Sequence, residues 1–150
     1  MDRMVSEIEA RIFLTQKFPS LTLTPFEVTS ECDDFYNCIA WAANDNKNWW
    51  WPDPFGHWPA GCPRAETLIA FRKAFETLGY APSNYSDEWD QFEYIAIYLR
   101  GSKPSHAARQ LDNGRWTSKV GPVWDISHEL VGLNGAEYGN PNLFMKRPRS

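Results

Sequence analysis

Apolar side chains at Met4, Val5, Ile8, Ile12 and Phe13 recur at the spacing of one helical face, which predicts a short helix over residues 4–16. Phe18-Pro19 ends that pattern. Leu21, Leu23, Phe26 and Val28 then alternate loosely, as in an extended segment. Asp33-Asp34 precedes the Ala-rich stretch 35–43. Aspartates cap helices and alanine favours them, so a second helix is expected from near residue 35 to near Asn44. Residues 45–64, with Trp49-Trp50-Trp51, four prolines and two glycines, read as a long loop. The next helix is bounded by Pro63 near its first turn and Gly79 just past its end, with Leu68, Phe71, Phe75 and Leu78 on one face.

Beyond a polar loop, Tyr94–Leu99 reads as a strand, Gly101–Pro104 as a turn and His106–Leu111 as a second strand. Asp112-Asn113-Gly114 carries the strongest short hairpin signal, and Arg115–Val120 is the returning strand. The chain from Gly121 onward reads as loop, and the basic Lys146-Arg147-Pro148-Arg149 as a solvated tail. Helices followed by an antiparallel meander predict an α+β fold, helices packed on a small antiparallel sheet. With 150 residues and no repeat or linker, a single domain over 1–150 is expected.

Composition changes the picture in three ways. Fifteen Lys and Arg against nineteen Asp and Glu give a net charge of −4, which argues against nucleic acid or an anionic membrane as partner. Three cysteines cannot form a complete disulfide set, which favours a reducing setting. The start of the chain lacks a secretory pattern, and no apolar run is long enough to cross a membrane. A cytoplasmic location follows as the expectation, with non-classical export left open. Finally, aromatic residues reach 15%, with eight Trp.

The chemistry centres on Cys38, which falls in the first turn of a predicted helix. Unpaired N–H groups there stabilise a thiolate and lower the thiol pKa. His106 opens a predicted strand, and such a pair can act as nucleophile and general base. Thr117, Ser118, Asp125 and His128 are candidates for orienting the imidazole. The Cys38 N–H, with Asn37, Tyr36 or Gln110, could hold an oxyanion. Cys32, Cys38, His57, Cys62, His106 and His128 are possible zinc ligands, but none is spaced as a tight Cys pair, so no metal is expected. No cofactor is implied either, since no phosphate-cradling glycine motif is present. Trp49, Trp50, Trp51 and Trp58 either staple the long loop to the core or form a stacking platform over a cleft. Arg64 and Arg109 could pair with a substrate carboxylate.

The order of a Cys at a helix start, a strand, a strand opening with His and a glycine-containing hairpin resembles the compact papain-like fold of the NlpC-type cysteine hydrolases. The likeness covers roughly residues 35–120. It implies Cys38 as nucleophile, His106 as base and a third polar residue on the returning strand, where Ser118 stands at the matching offset. Asn37 replaces the family's acidic residue, and a hydroxyl replaces its usual third His, Asn or Gln. The chain is also similar to a family of uncharacterised bacterial proteins that share Tyr36–Ala42, His106–Leu111, Gly114–Gly121 and Asp125–His128. The expectation is a hydrolase or acyltransferase acting on a peptide, amide or ester, glycan-linked substrates included, through a thioester on Cys38. The alternatives are a non-catalytic domain gripping a glycan or protein with its Trp loop, and a secreted bacterial effector.

Overall fold

Tyr94-Ile95-Ala96-Ile97-Tyr98 is the longest run of fully buried residues among those described, and the rest of the architecture is arranged around it. The computed structural model describes residues 3–30, 35–120 and 124–150. Its elements are α1 (Arg3–Lys17), β1 (Phe26–Val28), α2 (Cys38–Ala42), α3 (Leu68–Glu76), β2 (Ala81–Ser83), β3 (Phe92–Arg100), β4 (Lys103–Gln110), β5 (Trp116–Val120), β6 (Trp124–His128) and β7 (Asn140–Pro148). Short 3-10 turns lie at Pro19–Thr22 and Leu130–Leu133. The strands form one antiparallel sheet of seven in the order β1-β6-β5-β4-β3-β7-β2.

β3 reads as a continuous apolar run because both its faces are covered. Ile95 and Ile97 join Ala107 and Met145 under α2, α3 and the long loop, where Ile39, Trp50, Trp58, Phe71 and Phe75 complete a first core. Tyr94, Ala96 and Tyr98 face the other way, into a second core with Leu14, Phe18, Trp116, Ile126 and Leu133. Successive side chains of a strand point to opposite faces, so one strand serves both cores.

This β-rich sheet corrects the expectation of an α+β, papain-like fold with helices on a small sheet. β6 and β7 lie in the stretch read as loop and tail. Asn140-Pro141-Asn142 has turn composition, yet it begins β7, which pairs along nearly the whole of β3. Lys146-Arg147-Pro148 is likewise strand: Arg147 Nη2 bonds Glu93 Oε1 at 2.6 Å and Arg149 donates to the Trp89 and Phe92 carbonyls. These charges sit at the rim of a partly buried strand, which is why their pattern resembled a tail.

The helices are also shorter or turned. α1 buries Ala10 and Leu14 and leaves Ile8 and Ile12 more than half exposed, so the expected apolar face is not the packed one. α3 begins at the cap Thr67, whose hydroxyl accepts from the Ala70 N–H, rather than near Pro63. Gly79 follows α3 with φ +92°, the left-handed conformation expected of it. His106 lies in the middle of β4 instead of at a strand start. Asp33, Asp34 and Cys32 lie outside the described residues.

Candidate functional site

Asn37 organises the start of α2. Its backbone is extended, and its Oδ1 accepts from the N–H of Ala40 at 3.1 Å, capping the helix. The same oxygen accepts from the Trp50 N–H at 3.1 Å, and Nδ2 donates to the Trp50 carbonyl at 2.6 Å. One amide thus starts the helix and clamps the long loop to it. Both Oδ1 and Nδ2 of that side chain are engaged in the cap and the clamp.

The clamp places Cys38 at the first helical position, half-buried. Burial pushes its thiol up to about 11, against the opposing N–H groups of Ala107, Ile39 and Cys38 itself. The expected depressed pKa is therefore corrected. α2 has only five residues, and desolvation of the thiolate outweighs what its N-terminus supplies.

His106 is fully buried on β4, with Tyr138 stacked on its ring at 4.1 Å between centroids and Tyr98 edge-on at 5.1 Å. Its Nε2 lies 2.9 Å from Ser118 Oγ. Ser118 Oγ lies 2.7 Å from His128 Nε2, and His128 Nδ1 lies 2.7 Å from the Glu129 carbonyl oxygen. His106 Nδ1 is buried and has no hydrogen-bond partner among the described residues. Burial, then repulsion from His128, holds the His106 pKa well below that of a free imidazole.

These groups meet where the sheet opens. β4 and β5 pair only at Arg109–Thr117 and Gln110–Trp116. Past that point β5 pairs only with β6, and α2 rests across both β4 and β5. The Ala107 N–H on that part of β4 faces the Cys38 thiol. Thiol and imidazole thus flank a single peptide unit, His106–Ala107. The thiol borders the first core, while the imidazole is walled by tyrosines of the second.

The other candidates are distributed elsewhere. Asp125 takes a 2.5 Å hydrogen bond from the Tyr36 hydroxyl and sits across from buried Lys119, whose Nζ lies 4.6 Å from the Tyr36 ring centre. Of the four groups considered for orienting His106, Ser118 adjoins it, His128 lies behind Ser118, Asp125 faces Tyr36 and Thr117 faces Trp41. Thr117 accepts from the Trp41 indole, and Gln110 donates to Tyr85 and to the Gly114 carbonyl. Trp50 and Trp58 are core residues, with indoles donating to Asp45 and the Pro63 carbonyl. Trp51 stands edge-on to Phe71, and Trp49 is exposed. The loop is stapled rather than open. Arg109 lies over Trp41, and Arg64 donates to the carbonyls of Asp53 and Gly56, so both cations serve the fold. Tyr138, Trp51, Lys103, Ser105 and Glu137 help to line a hollow of about 340 Å³. Among the described residues no group of three His, Cys, Asp or Glu side chains could hold a metal ion. No helix among them is long and apolar enough to cross a membrane.

The model of DUF7689, a domain of unknown function, matches residues 27–146. This chain belongs to the DUF7689 family. Neither a curated protein nor a solved structure matches it. The DUF7689 segment runs from β1 into β7 and contains Cys38, His106, Ser118 and His128, while α1 precedes it. Within the domain, sequence reasoning missed Tyr138 as the wall of His106 and did not join His128 to Ser118. The second link needs β6: once it pairs with β5, Trp116 opposes His128 and puts that imidazole on the Ser118 face.

Proposed function

We propose that this DUF7689 chain is a cysteine acyl hydrolase or acyltransferase, with Cys38 as nucleophile, His106 as general base and Ser118 orienting the imidazole. The observation that carries this reading is the state of the His106 ring. Nε2 engages Ser118, Nδ1 is buried without a partner, and the next N–H along the chain faces the Cys38 thiol. A buried ring nitrogen left bare is a cost in stability that a proton-accepting role accounts for.

Both partners rest neutral, the thiol with a raised pKa and the imidazole with a lowered one. The fold sets them on opposite faces of β4, so the reading requires them to meet through the β4–β5 opening, where the thiol proton passes to Nδ1 as sulfur attacks the carbonyl carbon rather than leaving beforehand. The oxyanion that forms can accept from the main-chain N–H groups of Cys38 and Ile39. When the tetrahedral adduct collapses, the C–N or C–O bond breaks and the imidazolium returns the proton to the leaving group. Water or an amine, deprotonated by the same nitrogen, then attacks the thioester and releases Cys38. Peptides, amides and esters are the substrate class. A binding role for the Trp loop is less well supported, since Trp50 and Trp58 belong to the core.

The test uses p-nitrophenyl acetate and intact-protein mass spectrometry. An acetyl group is expected on Cys38, absent in Cys38→Ala and formed about 100-fold or more slowly in His106→Ala. Acetylation at equal rates with and without His106, in folded protein, sinks the reading. The base must be neutral to act, so its lowered pKa moves the acid limb of the rate profile below pH 6.5. The rate is expected to hold its plateau through that value and to fall only in more acid solution.

A further inference from the structure

The chain of polar contacts that starts at His106 has four members, and its last one is a carbonyl. That end decides the rest. The Glu129 carbonyl can only accept, so the hydrogen in the 2.7 Å contact sits on His128 Nδ1. A neutral imidazole carries one N–H, which leaves His128 Nε2 a bare acceptor. Ser118 has one proton, and at 2.7 Å it donates that proton to His128 Nε2. Toward His106 the same oxygen can then only accept, so His106 carries its hydrogen on Nε2. The lone pair of His106 is consequently on Nδ1, the nitrogen with no partner.

We propose that His128 is a positioning residue that fixes the tautomer of His106 through Ser118 and so keeps the Nδ1 lone pair available. The inference rests on the reading of His106 as the base. Ser118 alone does not fix the tautomer, because a hydroxyl can donate or accept toward His106 equally well. The acceptor on its far side removes that freedom. A carboxylate in the place of His128 would do the same, but it would bring a charge into a core formed by Trp116, Ile126 and Leu133. A neutral imidazole tied to its neighbour's carbonyl gives the direction without the charge. Burial, the largest influence on His128, lowers its pKa to about 4 and keeps it uncharged at neutral pH. The device also accounts for an orienting residue that is a hydroxyl: its direction is borrowed from a second imidazole.

The experiment is long-range ¹H–¹⁵N correlation NMR on ¹⁵N-His-labelled protein, with acetylation of Cys38 by p-nitrophenyl acetate measured alongside. In the wild type, His106 is expected protonated on Nε2 and bare on Nδ1, and His128 protonated on Nδ1. A wild-type His106 protonated on Nδ1 overturns the inference by itself. His128→Phe keeps the ring volume and removes the acceptor. Ser118 then turns its proton to His106 Nε2, the tautomer flips, and acetylation slows by about 100-fold, the low end of what a positioned base contributes. His128→Gln places an amide oxygen within reach of Ser118 and is expected to restore both the tautomer and most of the rate. A folded His128→Phe protein with unchanged His106 tautomer overturns the proposal. If His128→Phe does not fold, Ser118→Ala breaks the same link at smaller volume, and an unaltered fixed tautomer there overturns it equally. The two readings fail separately. The expected tautomers with no acetylation remove the hydrolase and leave the relay. Acetylation indifferent to His128 removes the relay and leaves the hydrolase.

Discussion

Two imidazoles held without charge inside the molecule make its stability depend on pH. His106 and His128 both have folded-state pKa values below the free value near 6.5, His128 at about 4. Above pH 6.5 both are neutral whether folded or not, and their contribution is complete. Below it the unfolded chain takes up protons that the folded chain refuses, so stability falls as pH drops toward the folded-state values. With two groups the slope is at most about 2.7 kcal/mol per pH unit, twice the single-proton value. Urea titrations between pH 7.5 and 4.5 are expected to show this loss, and His128→Gln to reduce it. A flat profile across that range contradicts the burial of neutral imidazoles. Cys38 gives a second residue-scale outcome. With its thiol raised from 9.0 to about 11, its iodoacetamide alkylation at pH 7.5 is expected to be about 100-fold slower than that of a free thiol. Much of this scale was legible in the sequence. The offset from His106 to Ser118 could be read, and those two side chains meet, although across the stretch where β4 and β5 no longer pair rather than in hairpin register. The thiol's pKa could not, since a helix start is visible locally while the depth at which it is buried depends on the β4–β5 opening.

At the scale of elements, α2 and the tryptophan loop are one unit joined through Asn37. Asn37→Ala removes the cap and leaves the Trp50 N–H and carbonyl without their partner. The combined loss is about 2–4 kcal/mol, from a cap of about 1 and buried polar groups of about 1–3. Asn37→Asp keeps both acceptor contacts but cannot donate to the Trp50 carbonyl, so an intermediate loss is expected. Equilibrium urea unfolding ranks the three proteins, and an Asp variant as stable as wild type contradicts the clamp. The same contact explains why the position suits an amide: a carboxylate there could accept but not donate. α3 could be read from its apolar spacing and its glycine, because those signals are local. β6 and β7 could not. Their residues alternate weakly, carry Asn, Pro, Lys and Arg, and become strands by pairing with distant partners. The apolar stripe of α1 misled for a related reason: Ile8 and Ile12 share a face that the second core does not reach.

For the whole molecule, the last strand in the chain stands next to the one with the longest fully buried run. β7 lies between β3 and β2, contributes Met145 to the first core, and holds Glu93 through Arg147. A chain ending at Gly139 loses one full side of β3. It is expected to lack cooperative unfolding, which far-UV circular dichroism and calorimetry read directly; a native-like melt of that truncation contradicts the central place of β7. Near that same position the backbone closes tightly. A Cβ on Gly139 would lie 1.9 Å from the Leu99 carbonyl oxygen, so only glycine allows the approach beside Tyr138. The sheet's outermost members, β1 and β2, are three residues each, and Pro82 takes one of β2's positions. A visiting strand therefore meets only three residues of backbone on β1 or on β2, and Pro82 removes an amide from the middle of β2. Short margins of this kind hinder growth of the sheet by edge-to-edge addition, even though its buried β3 run is as apolar as an aggregating segment.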